Sequence, residues 1–155
     1  MTMSARLKSF LDDNHIHYTL MTHSPAYTAQ AAAATLHVPG KQLAKTIVVR
    51  AGDDMGLAVL PASCHVNLKR LSTLLGREVR LASEKEFIDK FPDCEPGAMP
   101  PFGQLYSLPV YVDTMLTADE EIVFNAGTHR DAMRMRYDDF ARLANPAVGS
   151  FADKG

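Results

Sequence analysis

Lys45 opens a run of β-branched residues, Lys45-Thr46-Ile47-Val48-Val49. A lysine at the head of so apolar a strand either snorkels to water or aims its ammonium into a cleft. Aimed into a cleft, it suits a phosphate or a developing oxyanion, which it holds as a point charge. The second group is the loop Gly97-Ala-Met-Pro-Pro-Phe-Gly103. Pro100 and Pro101 stiffen its backbone, and Gly97 and Gly103 let a ligand come close to it. A stiff loop presents backbone N–H groups without reorganising, which an oxyanion site requires. Standing alone, it serves equally well as a structural turn. The third group is Asn125-Ala-Gly-Thr-His129, a small-residue turn that carries an imidazole past the end of a strand. A lone histidine is more often structural than catalytic. Beyond it, Met133 and Met135 alternate with Arg134 and Arg136. That pattern describes a solvated strand face, with contact to RNA phosphates as the alternative.

Other chemistries find no support. There is no GxGxxG, Walker loop, HExxH or GxSxG motif. His15 and His17 share one side of an extended run, but no carboxylate or thiol cluster follows at ligand spacing. Neither a metal site nor a cofactor is expected. The acidic pairs Asp53-Asp54, Glu120-Glu121 and Asp138-Asp139 are sequence neighbours, which point apart on a strand, so they read as turns and caps. Cys64 and Cys94 form neither a disulfide framework nor a CxxC pattern. Two buried thiols in a reducing compartment are expected, which places the chain in the cytoplasm.

The chain's 155 residues fit one domain, and folding at this size buries roughly 70% of the surface of the unfolded chain. The apolar fraction of 46% and charged fraction of 22% are globular values. A formal net charge of −2 excludes a generic polyanion binder, so any nucleic-acid contact is confined to a patch. No apolar run approaches the ~20 residues that span a bilayer, and no membrane partner is expected.

The elements that must position these groups alternate in type. Ser4 caps a helix to residue 14, with Leu7, Phe10 and Leu11 on one face. An extended run follows from Tyr18 to Thr22. The alanine run from Thr28 to Leu36 predicts a helix, stopped by Pro39-Gly40. Strands over 45–50 and 57–60 flank a turn at 52–56 and form a hairpin. Asn67 caps a helix to Leu75, a short strand covers 78–81, and Ser83 and Glu86 have capping-box spacing ahead of a helix to about Lys90. Residues 91–107 hold Pro92, Pro96, Gly97, Pro100, Pro101 and Gly103. So long a loop inside a compact chain is usually functional or disordered. Strands follow at 110–113, 121–125 and 132–136, then a helix over 137–144. The domain is expected to cover residues 1–147, with 148–155 a flexible tail.

These motifs, in this order, make the chain similar to the YbaK/ProX family of aminoacyl-tRNA deacylases, related to the editing domain of bacterial prolyl-tRNA synthetases. The resemblance covers about residues 5 to 145. It rests on His23-Ser-Pro25, the alanine-rich helix, Ala44-Lys45-Thr46, the GxxPPxG loop at 97–103, Asp113 at a strand end and Phe124-Asn125-Ala126-Gly127-x-His129. It implies an α+β fold in which a mixed, curved and partly barrel-like sheet is surrounded by helices. It implies trans-editing: hydrolysis of the ester that joins a small, wrongly attached amino acid to tRNA. Lys45 and Gly103 are then the expected catalytic positions. His23, Thr46, Gly97, Pro100, Pro101, Phe102, Asp113, Gly127 and His129 are expected to bind substrate. The implied partners are the acceptor end of a mischarged tRNA and an aminoacyl-tRNA synthetase, without DNA, and family members work without metal. Thr46 stands where the alanine-clearing branch commonly has asparagine, which leaves alanine, serine, threonine and cysteine all open as the amino acid. The alternatives are a non-catalytic module that binds tRNA or a synthetase, and a hydrolase of another small ester or amide.

Overall fold

A computed structural model of the chain describes residues 3–22 and 42–154. The expected helix over 28–36, and His23, lie outside the described residues. Among them the chain forms ten strands and four α-helices.

Helix α1 (Ala5–Asp13) starts at Ser4, whose hydroxyl accepts the Leu7 N–H at 3.1 Å, and it buries Leu7 and Leu11. Strand β1 (Tyr18–Thr22) follows. Strands β2 (Ala44–Ala51) and β3 (Asp54–Pro61) pair antiparallel along their full length as the expected hairpin. Next come β4 (Cys64–Val66) and α2 (Leu68–Leu75). Asn67 caps α2 and Gly76 ends it with φ +69°, in the left-handed region. The strand expected over 78–81 is reduced to β5 (Arg80–Leu81). The Ser83–Glu86 capping box forms, but α3 runs only from Glu84 to Phe87 before tightening into a 3-10 turn, Ile88–Lys90. Strands β6 (Val110–Asp113), β7 (Glu121–Asn125) and β8 (Asp131–Arg136) precede α4 (Tyr137–Ala144). The chain closes with β9 (Ala147–Gly149) and β10 (Ala152–Lys154).

The strands make a five-stranded mixed sheet in the order β5-β2-β3-β6-β9, a three-stranded sheet β1-β8-β7, and the pair β10-β4. A parallel bridge between Leu43 and Val123 joins the two larger sheets just before β2 begins. The curvature expected of the sheet therefore appears as two sheets meeting at a seam, with no closed barrel among the described residues.

Strand alternation decides which face each β2 side chain takes. Ala44 and Val48 enter the main core with Phe102, Phe124, Met133 and Phe140. Val49 and Ala51 enter a smaller core with Leu60, Cys64, Leu71 and Phe151. Register sets Lys45 beside Leu60 on the smaller-core side and Thr46 beside Val59 on the main-core side.

The flexible tail expected from residue 148 is not what the structure shows. Strand β9 pairs with β6, β10 pairs with β4, and Phe151 between them is fully buried. Asp113 is the clamp. Its Oδ1 accepts the N–H groups of Phe151 and Ala152, each at 2.8 Å, while Oδ2 accepts the Met115 N–H at 2.9 Å. Asp113→Ala strands these donors, and each buried unsatisfied group costs about 1–3 kcal/mol. We expect Asp113→Ala to lower the unfolding free energy by about 2 kcal/mol or more, and Asp113→Asn to lower it less. Urea denaturation checks this, and unchanged stability would remove the clamp.

Candidate active site

Two segments distant in sequence are laced together. Glu95 N–H donates to the Gly127 carbonyl at 2.7 Å, and Gly127 N–H donates to the Ala98 carbonyl at 2.9 Å. The Glu95 carboxylate accepts the His129 N–H at 2.7 Å. His129 Nε2 lies 2.8 Å from the Pro96 carbonyl oxygen. A carbonyl can only accept, so Nε2 is the protonated nitrogen and is not a general base. Both glycines at the junction are in left-handed conformations, Gly97 at φ +85° and Gly127 at φ +103°. A Cβ on Gly127 would stand 3.0 Å from the backbone nitrogen of Ser4, and one on Gly97 would stand 3.4 Å from the His129 ring. The structure thus brings Gly97, Gly127 and His129 into one place.

The junction is braced from beneath. Ser4 N–H donates to the Ala126 carbonyl at 3.0 Å, and its hydroxyl donates to the Asp93 carboxylate. Tyr106 hydroxyl reaches the same carboxylate at 3.1 Å and the Cys94 sulfur at 3.2 Å. Burial raises the Cys94 thiol to about 12 and also pushes the Tyr106 hydroxyl up, so both stay protonated. Sequence reasoning misses Ser4, Asp93, Glu95 and Tyr106 as site residues, because each acts through contacts far along the chain.

The rest of the proline loop turns inward. Pro100 and Pro101 are buried. Phe102 is fully buried, with ring centroids of Phe10, Phe124 and Phe140 at 5.7, 5.8 and 5.5 Å. Gly103 starts a 3-10 turn (Gly103–Tyr106) and its carbonyl accepts the Leu108 N–H at 2.8 Å. Pro100, Pro101, Phe102 and Gly103 therefore sit in or against the core beneath the Gly97 end of the loop. Thr46 is 8% exposed on the main-core face of β2. Asp113 is committed to its clamp.

Lys45 emerges from the other face. It lines a cleft of about 220 Å³ with Ile47, His65, Val66, Leu68 and Leu81. Partial burial holds its ammonium below the ordinary lysine value, against a smaller opposite effect of Cys64. Among the described residues it has no ion-pair partner. A larger cleft, about 500 Å³, lies at the tip of the β2–β3 hairpin and holds none of the expected site residues. Among the described residues no His, Cys, Asp and Glu cluster has the composition of a metal site, and no helix is long and apolar enough to cross a membrane.

The chain is thus an α+β domain that lays a glycine–proline loop against an Asn-Ala-Gly-x-His turn. The chain matches the aminoacyl-tRNA editing domain family over residues 23–143 and belongs to that family. It is thereby a hydrolase acting on aminoacyl-tRNA. It is 28% identical over 152 residues to the multifunctional Ser/Thr-tRNA deacylase ProXp-y of Escherichia coli (strain K12), covering 94% of this chain and 90% of that protein. Solved structures share its fold. The hypothetical protein APE2540 superposes with a TM-score of 0.87 at 19% identity, covering 96% of this chain and 99% of the other. A candidate trans-editing enzyme for prolyl tRNA synthetase superposes with a TM-score of 0.83 at 22% identity, covering 97% of this chain and 96% of the other.

A Cβ at position 103 would stand 2.1 Å from the Leu108 carbonyl oxygen. Gly103→Ala must therefore move backbone, at a cost of about 1–3 kcal/mol or more. Thermal unfolding should fall for Gly103→Ala, and an unchanged midpoint would mean that the turn yields without cost.

Proposed function

We propose that the chain clears a small, wrongly attached amino acid from the acceptor end of tRNA, with Lys45 as the anion anchor. The observation that carries this reading is the opposition of Lys45 and Thr46 across β2. The ammonium stands in a cleft lined by Ile47, Val66, Leu68 and Leu81, with no carboxylate in the lining. A partly desolvated cation without a counter-ion is complementary to an anion, and a terminal tRNA phosphate supplies one. The junction that gathers Gly97, Gly127 and His129 is the side on which the aminoacyl ester is held, with Thr46 buried on the main-core face of β2. Gly97 N–H donates to the Met99 thioether at 3.3 Å, a weak acceptor that a substrate oxygen readily displaces. Lys45 thus holds the substrate by charge, while the loop N–H faces the developing oxyanion.

In the reaction water attacks the ester carbonyl carbon. The bond from that carbon to the ribose oxygen breaks, and the ribose oxygen takes up a proton. An aminoacyl ester is already activated, and its neighbouring ribose hydroxyl assists the water, so positioning carries most of the rate. The net charge of −2 limits the number of phosphates that the surface can neutralise. An aminoacyl-tRNA synthetase, met in the cytoplasm where tRNA is charged, supplies the missing affinity and the choice of tRNA.

The test is hydrolysis of a panel of tRNAs mischarged with alanine, serine, threonine or cysteine. Lys45→Ala should raise KM for tRNA by about tenfold or more, as expected for loss of a charge-assisted contact. Wild-type inactivity on every substrate would sink the deacylase reading, and undiminished Lys45→Ala would remove the anchor.

A second check uses pH. A lysine held below its ordinary value loses its proton, and its charge, at a lower pH than a solvated lysine. KM should therefore rise on the alkaline side earlier than an ordinary lysine would impose. Lys45→Arg stays charged and should flatten that limb. A parallel rise in the arginine variant would assign the alkaline limb to another group.

A further inference from the structure

The cleft that holds Lys45 has a second polar side chain. His65, from β4, lines it together with Lys45, Ile47, Val66, Leu68 and Leu81. The other four are apolar, so Lys45 and His65 are the hydrogen-bonding side chains that the described residues give to this lining. Alternation along β4 sends Cys64 into the smaller core and leaves His65 exposed to solvent. The Lys45 ammonium is near enough to Cys64, the residue before His65, for the sulfur to act on its charge.

A surface histidine often serves only to pair with a carboxylate. The carboxylate that register sets opposite His65 is Asp153 of β10. Both of its oxygens are taken. Asn67 Nδ2 donates to Oδ2 at 3.0 Å, and Arg70 forms an ion pair with Oδ1. Of the other charged groups on the surrounding elements, Arg80 of β5 is held by Glu86, while Lys69 and Lys154 are exposed and outside the lining. Among the described residues, then, neither the imidazole nor the ammonium in this cleft has a partner.

We infer that His65 is the second ligand of the tRNA phosphate that Lys45 holds, donating its imidazole N–H to the non-bridging oxygen that the ammonium does not meet. This rests on the reading of Lys45 as the anion anchor of a deacylase. A phosphodiester spreads one negative charge over two non-bridging oxygens and has no proton to donate. One cation balances that charge, so the second oxygen calls for a donor and not for another full charge. An imidazole carries at least one N–H whether neutral or protonated. The walls of Ile47, Val66, Leu68 and Leu81 bring no competing acceptor, and a partly desolvated setting strengthens both contacts.

The experiment compares wild type, His65→Ala and His65→Gln on tRNA with its natural last phosphodiester and on tRNA with a methylphosphonate at that linkage. Each of the two methylphosphonate isomers has a methyl in place of one non-bridging oxygen. KM and kcat are measured on the mischarged forms, and Kd on the uncharged forms, which need no turnover. On natural tRNA, His65→Ala should raise KM and Kd by about tenfold, as for loss of one hydrogen bond to a charged group. Its kcat and unfolding midpoint should hold, since the side chain is exposed. His65→Gln keeps an N–H donor and should recover most of the loss. One isomer lacks the oxygen that faces His65, and on it His65→Ala should lose nothing further. Unchanged KM and Kd, a fall in kcat with KM kept, a glutamine variant no better than alanine, or a loss that persists on both isomers overturns the inference and leaves the deacylase reading standing. Wild type inactive on every mischarged tRNA, with the expected pattern in Kd, overturns the deacylase reading alone; without that pattern both fall.

Discussion

The reciprocal hydrogen bonds between Glu95–Ala98 and Gly127 are the constraint on which the site depends. They join a loop that has no regular structure of its own to the end of a strand that has. Neither segment is stiff alone. Gly97 and Gly127 both occupy left-handed backbone, where glycine is cheap in the folded state and costly in lost entropy. The Glu95 carboxylate on the His129 N–H offsets that cost, and Ser4 fills the space where a Cβ on Gly127 would collide. The first helix therefore closes the site from below, although it contributes nothing visible to its surface.

Strand β2 supplies the other half through its period of two. Adjacent residues, Lys45 and Thr46, are sent to opposite faces, one to a cleft beside the smaller core and one toward the main core. Had both faced the same side, a cation would stand against the buried aromatic cluster. The arrangement lets one strand end address an anion and a neutral group at once. It accords with the role proposed for the lysine, that of holding substrate by charge from the far face.

Much of this was legible in the sequence, and the losses have physical causes. The β2–β3 hairpin, the caps at Ser4, Asn67 and Ser83, and the strand order of types were readable because each depends on near neighbours. The proline loop announced itself by composition. Its inward half did not, since Phe102 and Gly103 in a glycine–proline segment look like ligand contacts until a core closes over them. Strands β9 and β10 are three residues each and carry no periodic signal. They exist because Asp113 holds the chain between them, a contact spanning nearly forty positions. Asp93 and Glu95 were invisible for the same reason.

The titratable groups around the loop explain why the chemistry must rest on position. The Asp93 carboxylate is occupied by Ser4 and Tyr106, and that of Glu95 by a backbone N–H. Cys94 is held as a thiol by burial, and the Nε2 of His129 is a donor to Pro96. Each of these groups has a partner within the loop, the turn or the first helix. Each is spent on keeping the loop where it is. A site so arranged offers fixed dipoles, a stiff backbone and a distant cation, which suit an ester that is already activated and would fail on an unactivated amide. The absence of a dedicated base among these groups is thus the other side of the scaffold's rigidity: the polar side chains that could have done chemistry are the ones that hold the turn.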